Sequence, residues 1–550
     1  VLETLRTAEQ RVESEGLFAV GFLSYESSPA FDSAYPVFPP GGFPLAWFAL
    51  YRPGSVIARQ ELPPSSGHYR LGAWVPTIDR EEYQRNIDAI RERIREGDTY
   101  QVNHTYRLRA PFSGDSLSYF RTLENGQETP YAAWIDTGQF TICSVSPELF
   151  FRLDGDTLTS RPMKGTARRG LTVADDHERG TALRDSEKDK AENVMIVDMV
   201  RNDIGRVATE GSVIVSELFT LEKYPTVWQL TSTVIGKTRQ GVPEVMRALF
   251  PAASITGAPK ARTMGIIREL ETTPRNLYTG ALGWLRPGRR ACFSVAIRTV
   301  VIDGVREEAE YGIGGGITWG STGEEEYEET RTKALVVGEE TEEFQLLETL
   351  LWTPAKGFAF LREHLDRLCA TADYFSFPCS TDVARTNLGA RAAAWDSSPR
   401  RVRLLLSRRG VLTIEASPLE IPHAGRKPRV RPALSPVSTA NRFLYHKTTR
   451  RWMYEGALAA QPGCDDVILW NERGEVTEST IANLILDIRG RLFTPPVSSG
   501  LLPGISRAAL LRAGTVEERV CTRKDLASAD RVLLANSVRG PYEVEFIPDP

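Results

Sequence analysis

The stretch Val337-Gly338-Glu339-Glu340-Thr341-Glu342-Glu343-Phe344 decides how the chain is organised. A helical pattern ends near Val337, an acidic run follows, and a new apolar pattern opens at Phe344. Such runs are usually solvated linkers or helix ends, so 338–343 is read as a linker between a module over 1–337 and another over 344–550. On both sides, strand-like runs (Gln139–Val145, Arg290–Ile302, Arg401–Leu406, Val467–Trp470) alternate with helical ones (Glu81–Arg95, Lys188–Val200, Glu324–Val336, Leu361–Ala372). This mixture predicts a two-module protein of α/β or α+β class. A second break, the Pro/Ser/Gly cluster Glu61–Gly67, reads as a loop.

The 550 residues exceed what one hydrophobic core usually supports. With 41% hydrophobic and 25% charged residues the composition is that of a folded globular protein. A net charge of −4 gives no electrostatic case for nucleic acid, and no apolar run is long enough to span a membrane. The opening Val1-Leu2-Glu3-Thr4-Leu5 reads as mid-helix, without the basic and apolar regions of a signal peptide, and the cytoplasm is the simplest compartment. The six cysteines and six histidines are dispersed, so neither a disulfide scaffold nor a zinc site is expected.

Three groups of residues carry chemistry. The first is acidic. Ser186 reads as a helix start, with Asp189 and Glu192 three apart on one helical face. Ser321-Thr322-Gly323-Glu324 has capping-box spacing, and Glu326, Glu329 and Lys333 follow on one stripe. One reading is a pair of solvated helices. The other is two carboxylate stripes facing a site for Mg²⁺, which takes few carboxylates and completes its shell with water and substrate.

The second group is built around Lys164 in Pro162-Met163-Lys164-Gly165-Thr166, a solvated lysine or, in a shaped turn, a nucleophile. Ser254-Ile255-Thr256-Gly257-Ala258-Pro259-Lys260 and the Gly312–Ile317 loop offer hydroxyls, a cation and close backbone approach to an anion. The latter is not a dinucleotide fingerprint. Arg298, within a strand-like apolar run, is either an edge residue or a carboxylate clamp.

In order along the chain, Gly97–Asn103, Ser146–Phe150, Pro162–Thr166, Ala191–Asn193, Ile255–Lys260, Ala296–Thr299 and Glu326–Thr330 resemble the chorismate-utilising enzymes, over about residues 17–337. The resemblance implies a Mg²⁺ site with Glu192 and Glu329 as ligands, supported by Asp189 and Glu326. It implies that Ser254, Gly257, Tyr278, Arg298, Gly314, Gly315, Gly316 and Lys333 hold chorismate. Family members that add water carry lysine where this chain has Gln101, so ammonia is the implied nucleophile. Anthranilate-forming members have histidine where Gln229 stands, and Lys164 looks like the mark of aminodeoxychorismate synthase component I. The implied chemistry is attack by Lys164 on C2 of chorismate, then replacement of the lysine by ammonia at C4. No glutaminase motif is visible, so a separate amidotransferase subunit is the implied ammonia donor.

The third group lies after Phe344, where each residue also has an ordinary surface reading: Leu347–Leu350, Glu363–Leu368, Tyr445–Arg450, Glu475–Asn483 and Leu501–Arg507. Together they resemble the fold-type IV pyridoxal phosphate (PLP) family of branched-chain aminotransferases and 4-amino-4-deoxychorismate lyase. The resemblance implies Lys447 as the Schiff-base lysine and Glu478 as the pyridine partner. Arg367, Ile505, Ser506 and Ser537 would contact the phosphate. The amine made by the first module favours a lyase over an aminotransferase, giving p-aminobenzoate. The rivals are an anthranilate synthase component I fused to an aminotransferase, and a non-catalytic C-terminal module; a homodimer through that module is a further expectation.

Overall fold

The computed structural model describes residues 1–58, 67–127, 129–334, 337, 343–419 and 426–548. The loop expected at Glu61–Gly67 and the linker expected at 338–343 therefore lie outside the described residues, apart from Gly67 and Glu343. The chain divides into two compact units, Val1–Arg169 with Arg179–Thr341, and Gly170–Glu178 with Glu342–Pro550.

The helix Arg80–Arg95 shows how local sequence builds the first unit. Asp79 caps it by accepting from Glu82 N at 2.7 Å, acids occupy its first turn and arginines its last. Tyr83, Ile87 and Ile90 recur at helical spacing and are fully buried, the two isoleucines each contributing roughly 1.5–3 kcal/mol. They pack on the long strand Gln101–Gly114, which runs antiparallel to Glu308–Ile317. Around this pair forms an eight-stranded sheet that ends in Thr299–Asp303, Phe140–Ser146 and Tyr131–Asp136.

A nine-stranded sheet contains Met163–Arg168, Val227–Lys237, Leu149–Asp154 and Arg290–Val295. Helix Glu187–Gly205 packs on it through Ile196, Val200 and Ile204, beside the stacked rings of Phe151 and Phe293. The strand expected over Arg290–Ile302 is in fact two, one in each sheet. Arg298 stands at the crossing with φ 48°, so it is neither within a strand nor at an edge.

The second unit has a four-stranded sheet, Gly357–Phe358, Leu346–Thr353, Arg400–Leu406 and Leu412–Pro418, covered by helices Leu361–Phe375 and Thr381–Ala392. Its other sheet, of eight strands, closes on itself. Val476–Ser479, Asp466–Trp470, Arg429–Pro432, Gly540–Phe546, Arg531–Asn536 and Asn483–Ile488 form the ring, joined by the pair Glu478–Asn483. Closure leaves no open edge around the ring.

Cys369 and Cys379 form a disulfide with Cα atoms 5.6 Å apart. The dispersed cysteines were expected to form no disulfide scaffold; this single pair ties helix Leu361–Phe375 to the segment just beyond its end, a return of the chain that cysteine spacing does not signal.

Candidate active sites

In the first unit a cavity of about 390 Å³ gathers most of the residues singled out in the sequence. Lys164, Asp189, Glu192, Ser254, Tyr278, Arg298, Gly314, Gly316, Glu326, Glu329 and Lys333 all line it, together with Gln229. Ser186 caps the helix that brings Asp189 and Glu192 there, accepting from Asp189 N at 3.2 Å. The other acidic helix, Gly323–Ala334, is capped one residue later than expected. Thr322, not Ser321, accepts from Glu325 N at 3.3 Å, while Ser321 Oγ is taken by Thr318 N.

Two lysine–carboxylate pairs stand in the cavity. Lys164 Nζ lies 3.6 Å from Glu192, and Lys333 Nζ lies 2.7 Å from Glu329. Lys333 beside it lowers the Glu329 pKa, whereas burial, reinforced by Glu329, raises that of Glu326. Among the described residues no three acids converge closely enough to enclose a metal by themselves. The donor set fits Mg²⁺ only in the form that takes one or two carboxylates and leaves its other positions to water and substrate.

Gly312–Ile317 is not a loop but the far half of strand Glu308–Ile317. Its neighbour Thr299–Asp303 pairs with it only as far as Tyr311, so beyond that point one edge is unpaired by that strand. Lys333 Nζ donates to Gly314 O at 2.8 Å. A Cβ on Gly316 would come 2.2 Å from Lys164 Nζ and 2.8 Å from Gln101 Nε2, so absence of a side chain is what admits both. Gln101 is fully buried, and neither amide atom has a hydrogen-bond partner.

Three residues of the expected anion site behave differently. Gly257 does not line the cavity; with φ 146° it packs against Gln101 O and Thr263. Lys260 donates to Asp203 and to Leu249 O, which commits it elsewhere. Gly315 is not a lining residue, although its Cα faces Glu326.

Sequence reasoning gave no role to Glu148, which also lines the cavity. Ser254 Oγ donates to it at 2.5 Å, and burial lifts its pKa to about 7. An acid inside the apolar run Cys143–Phe151 was the signal available.

In the second unit a cavity of about 400 Å³ is lined by Arg367, Lys447, Glu478, Ile505, Ser506 and Ser537, the whole set expected there. Burial, aided by Arg367, brings the Lys447 pKa down to about 8. Burial lifts Glu478 to about 7, although Tyr454 Oη donates to it at 2.9 Å, Asn483 Nδ2 at 3.1 Å and Leu502 N at 3.1 Å. Arg367 Nη1 donates to Pro503 O at 3.1 Å, beside the start of helix Ile505–Arg512. An amine that can exist unprotonated, a carboxyl reachable by a ring nitrogen, and a guanidinium next to backbone N–H groups fit PLP. Arg401, Arg403, Arg450, Arg451 and Arg539 also line this cavity and had been given no role.

Two antiparallel sheets around a cavity of paired lysines and carboxylates, and a closed barrel with a buried lysine, define a two-part enzyme. Residues 1–337 match the model of the chorismate binding enzymes, and the chain belongs to that family. Residues 345–546 match the model of class IV amino-transferases. The chain is 38% identical over 279 residues to aminodeoxychorismate synthase component 1 of Escherichia coli, covering 50% of this chain and 61% of the relative. It is 34% identical over 347 residues to anthranilate synthase component 1 of Methanothermobacter thermautotrophicus, covering 58% of this chain and 73% of the relative. The crystal structure of anthranilate synthase component I from Streptococcus pneumoniae is similar at a TM-score of 0.52 and 25% identity, over 61% of this chain and 85% of that one. The match thus spans less than two thirds of the E. coli relative's length. Among the described residues no helix is long and apolar enough to cross a membrane.

Proposed function

We propose that the first unit replaces the C4 hydroxyl of chorismate with an amine, and that the second removes pyruvate from the product to give p-aminobenzoate. The observation that carries the reading is Lys164, held in the first cavity between Glu192 and the side-chain-free Gly316. In its neutral form Lys164 attacks C2, the ring double bonds shift, and the C4 hydroxyl takes the Glu148 proton and leaves as water. Ammonia, supplied by a separate amidotransferase, then attacks C4 and the lysine departs as the double bonds return. Arg298, Tyr278 and the open edge at Gly314–Gly316 orient the substrate carboxylates. Glu192 and Glu329, with Asp189 and Glu326 beside them, would hold Mg²⁺, which supplies a carboxylate template and offsets charge.

For the second step, bound PLP supplies an electron sink. Glu478 would partner its ring nitrogen, and Arg367 with the Ile505–Ser506 turn and Ser537 would hold its phosphate. Lys447 takes the C4 proton of the amine and returns a proton to the departing enolpyruvyl group. The excess of arginines supports a lyase over a branched-chain aminotransferase. Among the described lining residues Glu478 is the sole carboxylate against Lys447 and six arginines, which suits a substrate with two carboxylates.

Purified protein incubated with chorismate, Mg²⁺ and ammonium salt should yield p-aminobenzoate; anthranilate as the product would overturn the reading. Lys164→Ala should lose amination, and Lys447→Ala should stop at the aminated intermediate, both read by chromatography of the products.

A further inference from the structure

The buried carboxylate Glu348 lies on strand Leu346–Thr353, between Leu347 and Thr349, which line the second cavity. Strand alternation turns Glu348 to the opposite face, toward helix Leu361–Phe375. There its carboxylate accepts from Arg367 at both oxygens, Nε at 2.8 Å and Nη2 at 2.7 Å, and contacts His364 Nδ1 at 2.7 Å. Burial pushes its pKa up, but Arg367 outweighs this and with His364 holds the carboxyl at about 2. Glu348 is therefore an acceptor only, so Nδ1 of His364 must be the donor.

This leaves two loose ends, both on residues that line the cavity. His364 is 1% exposed, its Nε2 has no hydrogen-bond partner, and it lines the cavity one helical turn from Arg367. A buried nitrogen left unpaired is costly, so one on a residue that lines a binding cavity points to a ligand. Arg367 has given three of its five N–H groups to Glu348 and Pro503, which leaves two.

We propose that Glu348 is a positioning residue that aims Arg367 and His364 together, and that His364 Nε2 is a second side-chain contact for the phosphate of the bound cofactor. The proposal rests on the PLP reading of this cavity. Arg367 and His364, three residues apart on one face, present N–H groups to the same oxyanion while Glu348 fixes both rings from behind. His364 serves there as donor, its other nitrogen braced by the carboxylate.

The test titrates PLP, and separately pyridoxal, which lacks the phosphate, into cofactor-free full-length protein and follows the visible absorbance of the bound ring. His364→Ala should weaken PLP at least about tenfold, the loss of one charge-assisted hydrogen bond, and leave pyridoxal unchanged. His364→Gln should recover part of the affinity, and Glu348→Gln should weaken PLP further than His364→Ala. Unchanged PLP affinity in His364→Ala, or equal weakening of PLP and pyridoxal, would overturn the proposal. If Glu348→Gln does not fold, as judged by thermal unfolding, the histidine variants decide alone. Wild-type protein that takes up no PLP would sink the cofactor reading and this proposal with it. Uptake by wild type and variants alike sinks the proposal alone.

Discussion

Glu148 and Glu478 are each buried carboxyls whose pKa is lifted from 4.5 to about 7. A group so poised is half protonated near neutrality, which suits a proton donor in the first cavity. Above pH 7 Glu148 loses its proton, so the amination rate should fall as pH rises through about 7. In Glu148→Gln that limb should vanish and leave a low, flat rate; a variant keeping the wild-type profile would remove Glu148 from the step. The same shifts affect stability. The folded-state pKa lies above the unfolded value, so the contribution is complete below about 4.5 and is lost as pH rises through about 7. Urea midpoints measured across that range should decline, less steeply in Glu148→Gln.

The glycine-bearing strand Glu308–Ile317 sets what the first cavity admits. A Cβ at Gly312 would overlap the Tyr278 ring at 2.1 Å, and one at Gly316 the Lys164 amine. Gly316→Ala should leave the fold intact, because the amine sits at the end of a flexible side chain, yet lower amination at least about tenfold by displacing it. Full amination by that variant would detach Lys164 from its proposed position. This strand also marks where the sequence was hard to read. Glycine has low strand propensity, and the ladder that makes Gly312–Ile317 a strand comes from residues Val102–Arg107, about two hundred positions earlier. The acidic helices, by contrast, carried their period and their caps within a dozen residues, and only the cap at Thr322 was misplaced. The backbone position of Arg298, though not its candidacy, escaped for a similar reason: nothing local signals that a continuous apolar run crosses from one sheet to another. Glu348 and Glu148 were visible as lone acids in apolar runs, but their partners His364, Arg367 and Ser254 declare themselves only in space.

At the scale of the whole chain, a net charge of −4 conceals an arginine-rich second cavity. Sequence totals say nothing of such local clustering, which arises from residues as distant in sequence as Arg367 and Arg539. The two cavities are built from separate sets of residues, so the two reactions should be separable. Protein stripped of PLP should convert chorismate to the aminated intermediate at the rate of the complete enzyme and accumulate it. A matching fall in amination would show that the first step depends on the second site.

The ring of the second unit is joined through Glu478 and Asn483, one residue pair that also carries the hydrogen bond from Asn483 to Glu478. The seam of the barrel and the proposed grip on the cofactor ring thus fall on the same two residues. Each breathing motion that parts the seam would withdraw the carboxylate from its ligand, and an engaged ligand would hold the seam shut. Amide exchange along Asn483–Ile488 should therefore slow when the cofactor binds, making the barrel's weakest join a gauge of occupancy.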